Sequence, residues 1–236
     1  MRHLSMAVTL VLLVTIPAVA QLDEKVADRF WESTKILEQT VNAPDGGIPQ
    51  DLLARSECVA VIPSVKRAAL GFGGRYGRGV VACRKDGGTG VWGPPSMISL
   101  SGGSFGFQLG GQSTDVLMLF LSPDSMKHLL ADKLTLGADA SAAVGPKGRT
   151  VSVETSATMR AEILTYARSR GLFAGISFEG AVLRPDNKAN TALYGGKVNA
   201  EDLLLEGEMS TPEPARRFVD TLSRVAARKE STNTNP

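Results

Sequence analysis

The chain has 236 residues, of which 43% are hydrophobic and 21% charged, and its formal net charge is +2. This apolar fraction excludes an intrinsically disordered chain, and the near balance of charge excludes a bulk attraction to nucleic acid. The length suffices for one domain with a sizeable core. A four-ligand zinc site would need both histidines and both cysteines, and His3 lies in a predicted leader, so we expect no metal and no cofactor.

The N-terminus has the pattern of a secretory signal peptide. A short basic start at residues 1–3 is followed by an apolar run over 6–16 and by the A-x-A end Ala18-Val19-Ala20. This run of about 10 residues is half of what a membrane-spanning helix needs. We predict a signal peptide over 1–20, cleavage after Ala20, and export to the periplasm or cell envelope with peripheral membrane association.

Each of the two cysteines lies at one end of an apolar run. Cys58 opens the run 58–62 and Cys83 closes the run 80–83, and both runs have the composition of buried strands. In an oxidising compartment a disulfide between neighbouring strands fits these positions. Two buried free thiols fit them equally well, so the sequence leaves both alternatives open.

The first half of the chain begins with helices and continues with glycine-rich strands. Apolar residues at helical spacing predict a helix over 23–41, and Pro49 marks a second, short helix to about residue 56. The narrow apolar stripe of the first helix favours core packing of Phe30 and Trp31 over membrane insertion. Between residues 71 and 111 lie 14 of the 25 glycines, alternating with aromatic residues, which predicts strands with one bare face.

The second half is predicted as further strands followed by helices. The predicted strands span 97–101, 115–121, 134–144, 151–155, 163–168 and 172–183; the predicted helices span 123–131, 187–194, 200–205 and 212–228. Short connectors at 145–148 and 169–171 suit hairpins. We predict a disordered tail over 229–236 and an α+β fold: a single domain over 21–228 with an antiparallel β-sheet, sandwich- or barrel-like, and flanking N- and C-terminal helices.

Residues 102–106 fit the G-x-S-x-G pattern of a hydrolase nucleophile, Ser104. Asp115, Asp124 and His128 follow in the chain order of a hydrolase triad. That nucleophile requires a strand, a sharp turn and then a helix, whereas the residues after Ser104 alternate like a continuing strand. We therefore expect no catalytic residue, and a serine hydrolase is the weakest of the alternatives.

The basic residues are concentrated in one segment. Between Val59 and Lys85 there are six basic residues and no acidic one, whereas residues 21–58 hold eight acids and four bases. Arginine forks bind phosphate, and aromatic residues enter the apolar layer of a membrane, so this segment suits an anionic surface. Pairing of the same residues with acidic helices across the fold explains the charges as well, and charge alone leaves both open.

Six motifs resemble the SYLF lipid-binding domain family. They are CVAVIP at 58–63, GFGGRYGRGVV at 71–81, GGSFGFQLG at 102–110, LGADAS at 136–141, VGPKGR at 144–149 and SRGLFAGISFEG at 169–180. The resemblance runs from about Asp23 to Leu222. It implies a single domain of antiparallel sheet with flanking helices, phospholipid binding, and no catalytic residues. Eukaryotic members bind phosphoinositides and some fungal members associate with actin, whereas the predicted signal peptide resembles the exported bacterial members.

We therefore expect a non-enzymatic phospholipid-binding protein of the bacterial cell envelope. Its partners would be anionic phospholipids or a membrane surface, without nucleic acid. The alternative is an envelope structural or interaction protein that binds a protein partner with its glycine-faced strands. The expected lipid-binding residues are the basic ones in or beside the matching motifs: Lys66, Arg67, Arg75 and Arg78, with Lys147, Arg149, Arg168 and Arg170 as a second tier.

Overall fold

The computed structural model describes most of the chain between residues 18 and 228. The described residues are 18–41, 43, 47–88, 90–106, 111–122, 124–125, 127, 132–146, 161–169, 172–206 and 209–228. The apolar run of the predicted signal peptide, the predicted strand over 151–155, and the tail over 229–236 lie outside them, as does His128.

Five helices and eight strands are present among the described residues. The helices are α1 (Ala18–Val41), α2 (Gln50–Arg55), the short α3 (Lys85–Gly88), α4 (Asn187–Tyr194) and α5 (Glu213–Val225), with a π-helical segment at Asp202–Glu206. The strands are β1 (Cys58–Cys83), β2 (Ser96–Gly106), β3 (Gly111–Phe120), β4 (Leu134–Thr135), β5 (Ala142–Val144), β6 (Ile163–Ser169), β7 (Leu172–Gly175) and β8 (Val182–Pro185).

All eight strands form one sheet in the order β4-β8-β2-β1-β3-β6-β5, with β7 also paired to β6. Every pair is antiparallel except β5 with β6, which is parallel. This sheet, with helices N-terminal and C-terminal to it, confirms the predicted α+β single domain. The connector at 169–171 joins an antiparallel pair as predicted. The parallel β5 departs from the expected hairpin pattern.

β1 folds back on itself. A straight strand of 26 residues would be about 86 Å long, yet the Cα atoms of Cys58 and Cys83, its two ends, are 4.0 Å apart. The residues just outside these ends are also hydrogen-bonded to each other: the Arg84 amide donates to the Glu57 carbonyl at 2.8 Å. The first arm of β1 pairs with β3 and the second arm with β2. β1 is therefore a long hairpin at the centre of the sheet, and a disulfide joins its ends.

The order of the strands forces the sheet to curl. With β1 counted as two arms, a flat sheet would separate its edge strands β4 and β5 by about 34 Å. Only residues 136–141 connect these two strands, which limits their separation to about 25 Å even for an extended chain. The connection is shorter still, because a turn at Gly137, with φ of 85°, pairs Leu136 with Ala140. The sheet is consequently a curled half-barrel.

The curl creates two hydrophobic cores, one on each face of the sheet. The inner core lies on the concave face, where Leu134 of the edge strand β4 and Ile163 of β6, which pairs with the opposite edge strand β5, belong to one cluster. The outer core lies between the convex face and helices α1, α2, α4 and α5. Strand alternation distributes β1 between them: Ala60 and Ile62 face the inner core, and Val59 and Val61 the outer core.

Helix α1 packs against α5 across the outer core. Phe30 is buried and meets Phe218 edge to face, with ring centroids 5.9 Å apart, as expected from the sequence. Trp31 differs from the expectation: its side chain is 52% exposed, and the Lys35 ammonium lies 4.2 Å from its ring centroid. The next residue along a helix points about 100° away, so these two aromatic rings cannot share one core face.

Two predicted strands are interrupted by turns. The turn at Gly137 divides the strand predicted over 134–144 into β4 and β5. A second turn at Glu179 and Gly180, where φ of Gly180 is 73°, separates β7 from β8 within the strand predicted over 172–183. Glycine adopts these positive φ values without steric cost, so it marks a turn as readily as a bare strand face.

The disulfide of β1 is expected to stabilise the fold by about 3 kcal/mol, because it closes a loop of 24 residues in the unfolded chain. Replacing both cysteines with alanine should lower the free energy of unfolding in urea by about that amount. The same loss should appear when the unmodified protein is unfolded with a reductant, and the reductant should leave the double variant unchanged. Superimposed curves of the unmodified protein with and without reductant, or two alkylated thiols in the unreduced protein by mass spectrometry, would contradict the bridge.

The close contact between the arms of β1 makes Gly79 intolerant of a side chain. An added Cβ would meet the Val61 carbonyl oxygen and lie 2.7 Å from Ile62 Cγ1. Gly79→Ala should therefore lower the free energy of unfolding by about 1–3 kcal/mol. Gly103→Ala is the matched control, since nothing lies within 4 Å of its added Cβ, and it should change stability by less than about 0.5 kcal/mol. Equal unfolding midpoints for the two variants would contradict this packing of the hairpin.

Candidate anion-binding groove

The four basic residues predicted on β1 lie on two different faces of the sheet. Lys66 and Arg78 lie on the convex face and line a groove against α1. Arg75 lies on the concave face, with its guanidinium carbon 5.1 Å from the centroid of the Phe178 ring, which belongs to the inner core. Arg67 follows Val65 by two residues and shares that face. The structure thus separates the predicted set into two pairs.

A bulge in β1 decides which face Lys66 occupies. The pairing of β1 with β3 shifts register between Ile62 and Val65, both of which face the inner core. Without that shift, strict alternation would place Lys66 on the same face as Ile62. The bulge instead turns Lys66 to the convex face.

Asp115 holds this bulge in place. The Ser64 amide donates to Asp115 Oδ1 at 3.0 Å, and φ of Ser64 is 50°, in the left-handed region that only a few non-glycine residues adopt. The other carboxylate oxygen of Asp115 accepts from Arg168 Nη1 at 3.2 Å. Arg168, expected in the second tier of lipid-binding residues, is therefore part of the support for the bulge.

The groove lies between the first half of α1 and the convex face of β1. It is open to solvent and has a volume of about 370 Å³. α1 contributes Lys25, Asp28, Arg29 and Glu32 to its wall, and β1 contributes Lys66, Tyr76 and Arg78. The sequence did not predict the α1 residues as part of a site, because only the fold brings this helix against β1. Their alternating charges on one helix face were the available signal.

Asp186, the residue before α4, lies between two arginines of the groove. Its Oδ2 is 3.6 Å from Arg78 Nε and 3.9 Å from Arg29 Nη1, both beyond hydrogen-bond distance. Among the described residues, neither this oxygen nor Arg29 Nη1 has a hydrogen-bond partner, although both atoms are buried. Burial lowers the pKa of Arg29 and outweighs the opposing effect of Asp186. The Asp186 carboxylate is thus the shared counter-charge of two guanidinium groups, and its Oδ2 is hydrogen-bonded to neither of them.

Tyr76 and Arg78 form a pair on the exposed part of this face. Arg78 Nε donates to the Tyr76 hydroxyl at 2.7 Å, and this hydrogen bond is the main cause that raises the pKa of Arg78. Tyr76 is 47% exposed and the Arg78 side chain 48% exposed. Lys66 is exposed too, and among the described residues it has no ion-pair partner. The groove therefore presents accessible cations beside an aromatic ring.

Of the other predicted basic residues that the structure describes, Arg67, Arg75 and Arg168 do not line the groove. Arg75 Nε and Nη2 donate to the Gly103 carbonyl at 3.3 and 3.2 Å, and desolvation followed by repulsion from Arg67 lowers its pKa. Arg84, from the same basic segment, is buried, donates to the Ser56 and Ala226 carbonyls, and stacks 4.3 Å from the Trp92 ring centroid. Lys147, Arg149 and Arg170 lie outside the described residues.

The geometry around Ser104 is that of a continuous strand. Ser104 lies within β2 and pairs with Gly73 of β1, so the backbone here makes no sharp turn into a helix. Asp115 is engaged by Arg168 and Ser64, and Asp124 pairs with Lys127 at 2.7 Å. The described part of the chain also contains no group of three or more His, Cys, Asp or Glu residues placed to hold a metal ion. Within that same part, none of the helices has the length and apolar character required to cross a membrane.

Asp186→Asn tests the shared carboxylate. The asparagine oxygen can still accept from the Ala189 amide at the start of α4, so the change removes the charge and retains the helix cap. We expect a loss of about 1–3 kcal/mol in the free energy of unfolding, because the mostly buried Arg29 loses its counter-charge. Asp124→Asn, in an exposed pair, is the control and should change stability by less than about 0.5 kcal/mol. Indistinguishable urea midpoints for the two variants would contradict this role of Asp186.

Comparison with known proteins identifies the family. A sequence model of the family described as Ysc84, Las17-binding protein actin regulator, matches residues 101–225. The chain is 34% identical over 209 residues to SH3 domain-containing YSC84-like protein 1 of Bos taurus, covering 88% of this chain and 59% of that protein. It is 36% identical over 184 residues to LAS seventeen-binding protein 3 of Saccharomyces cerevisiae, covering 77% of this chain and 38% of that protein.

A human protein with the same name as the bovine relative is 34% identical over 195 residues, covering 82% of this chain and 54% of that protein. The chain thus spans 38% to 59% of the length of these three relatives. The matched segment begins within β2 and ends with α5, and the alignments extend the likeness over most of the chain. The chain therefore belongs to the Ysc84 family, the SYLF family that its motifs resemble.

Proposed function

We propose that this protein is a non-enzymatic binding domain that attaches to anionic phospholipid surfaces through the groove between α1 and β1. The observation that carries the proposal is the joint exposure of Lys66, Tyr76 and Arg78 on one face of the sheet. The proposal includes export through the predicted signal peptide, which would place the domain beside the membranes of a bacterial envelope.

Each part of this face has a physical role at a membrane surface. Lys66 and Arg78 supply charge-assisted hydrogen bonds to phosphate oxygens. Tyr76 supplies an apolar ring with a polar hydroxyl, the combination that suits the boundary between headgroups and acyl chains. The hydrogen bond from Arg78 orients this hydroxyl, and the β-sheet backbone fixes the spacing of the two residues. Rigid placement lowers the conformational entropy that is lost on binding.

In this proposal the concave-face pair, Arg67 and Arg75, does not contact the lipid. Arg75 already donates two hydrogen bonds to the Gly103 carbonyl and lies over Phe178. Recruiting it to a lipid headgroup would break those contacts. The two convex-face cations therefore account for the electrostatic attraction.

A protein partner is the second candidate. The family description and the name of the yeast relative refer to binding of Las17, and the name of the bovine relative refers to an SH3 domain. In this chain, the paired glycines Gly74 and Gly103 leave a bare, exposed patch on two adjacent strands, with no atom within 4 Å of an added Gly103 Cβ. Such a patch allows the backbone of a partner to approach closely. Native mass spectrometry separates the candidates, since co-purified lipid favours the first and a protein complex the second.

Vesicle flotation of the full chain tests the lipid proposal. The protein should float with phosphatidylcholine vesicles that contain phosphatidylglycerol, and binding should weaken as salt rises. Lys66→Gln/Arg78→Gln should weaken binding by up to about 30-fold, since each basic residue contributes up to about 1 kcal/mol at an anionic surface.

The matched control is Lys133→Gln/Arg216→Gln, which removes the same charge from exposed positions outside the groove. Equal loss in the two double variants would show a general charge effect and contradict a localised site. Equal recovery with neutral and anionic vesicles would contradict the electrostatic mechanism altogether.

A further inference from the structure

We infer that the groove between α1 and β1 takes a zwitterionic headgroup with one phosphate and one primary ammonium, the chemistry of phosphatidylethanolamine. This inference rests on the proposed function and names the headgroup that the same groove selects. The phosphate lies on Lys66 and Arg78, and the ammonium lies against Asp28 and Glu32 on the opposite wall.

The two walls of the groove differ in net accessible charge, because α1 presents Asp28 and Glu32 against Lys25, whereas β1 presents Lys66 and Arg78. On β1, Lys66 and Arg78 are exposed cations. On α1, Asp28 and Glu32 are exposed carboxylates one helical turn apart. Asp28 has no ion-pair partner among the described residues, and Glu32 meets only Lys35, at 3.7 Å in an exposed pair that contributes little. A ligand with a positive and a negative end can therefore satisfy both walls at once.

The same carboxylates disfavour a headgroup with several phosphates. A second phosphate directed at α1 would lie against Asp28 and Glu32, and like charges at close range repel. Lys25 offsets this repulsion only in part, because α1 carries two accessible carboxylates in the groove against one accessible lysine. The groove thus suits a headgroup with a single phosphate.

The lining of the groove also distinguishes a primary ammonium from a quaternary one. A quaternary ammonium has no N–H donor and is recognised by several aromatic rings that surround it. Tyr76 is the single aromatic residue among those that line the groove in the described structure. A primary ammonium has three donors, and carboxylate oxygens are its natural acceptors. Asp28 and Glu32 provide those acceptors.

Vesicles of matched surface charge test this selectivity with the full chain. One set contains 20% phosphatidylglycerol with phosphatidylethanolamine, and the other contains 20% phosphatidylglycerol with phosphatidylcholine. We expect binding to the ethanolamine set to be about tenfold tighter, the gain typical of one well-placed charge-assisted interaction. Equal affinity for the two sets would overturn the inference, while salt-dependent binding to the choline set would leave the proposed function standing.

A variant in which amides replace the two groove carboxylates separates headgroup recognition from the effect of ethanolamine lipids on membrane packing. Asp28→Asn/Glu32→Gln should lose the tenfold preference while still binding the choline set. The matched control, Asp220→Asn/Glu201→Gln, removes the same charge from exposed positions outside the groove and should keep the preference. A preference that persists in Asp28→Asn/Glu32→Gln would show a packing effect and overturn the inference.

Soluble headgroups give a readout without a membrane. Titrating the full chain with glycerophosphoethanolamine should produce saturable amide shifts at the groove residues in NMR spectra, and glycerophosphocholine should not. Equal amide shifts with both compounds, or no shifts with either compound, would overturn the inference. Absence of any binding to phosphatidylglycerol vesicles would instead contradict the proposed function itself.

Discussion

The two ends of β1 meet at Cys58 and Cys83, and this meeting determines the arrangement of the whole sheet. A hairpin of 26 residues at the centre leaves one free edge on each arm, and β2 and β3 occupy these two edges. Every other strand adds outward from them. Because β4 and β5 end up at opposite edges yet are joined by residues 136–141, the sheet has to curl. The disulfide, the glycine contacts between the arms and the closure of the half-barrel are thus consequences of one chain reversal.

The curl creates the convex face, and the candidate groove depends on that face. α1 crosses it with a buried side that includes Phe30 and an exposed side that includes Asp28 and Glu32. The bulge between Ile62 and Val65, supported by Asp115, turns Lys66 toward this helix. A one-residue change of alternation therefore decides whether a cation joins the groove or faces the concave side. The incomplete pairing of Arg29 and Arg78 with Asp186 keeps positive charge in the groove that a phosphate can use.

Several features were predictable because they depend on local periodicity. The helix over 23–41, the helix at 187–194 and the strand at 163–168 follow from apolar spacing alone. The turns at Gly137 and Gly180 were not predictable from the same glycine pattern, because positive φ and a bare strand face both favour glycine. The division of the basic residues also could not be predicted, since Arg67 and Lys66 are neighbours in sequence and the bulge changes which face each one occupies.

The sequence by itself determined the family, the α+β class, the concentration of basic residues in one glycine-rich segment, and the absence of a strand-turn-helix context around Ser104. These properties are carried by composition, spacing and motifs, which need no knowledge of contacts. Only the tertiary structure decided that β1 reverses, that Cys58 and Cys83 lie together, and that Lys66 and Arg78 oppose Asp28 and Glu32. Strand pairing over long sequence separations and a single bulge decide these placements, and neither leaves a periodic signal in the chain.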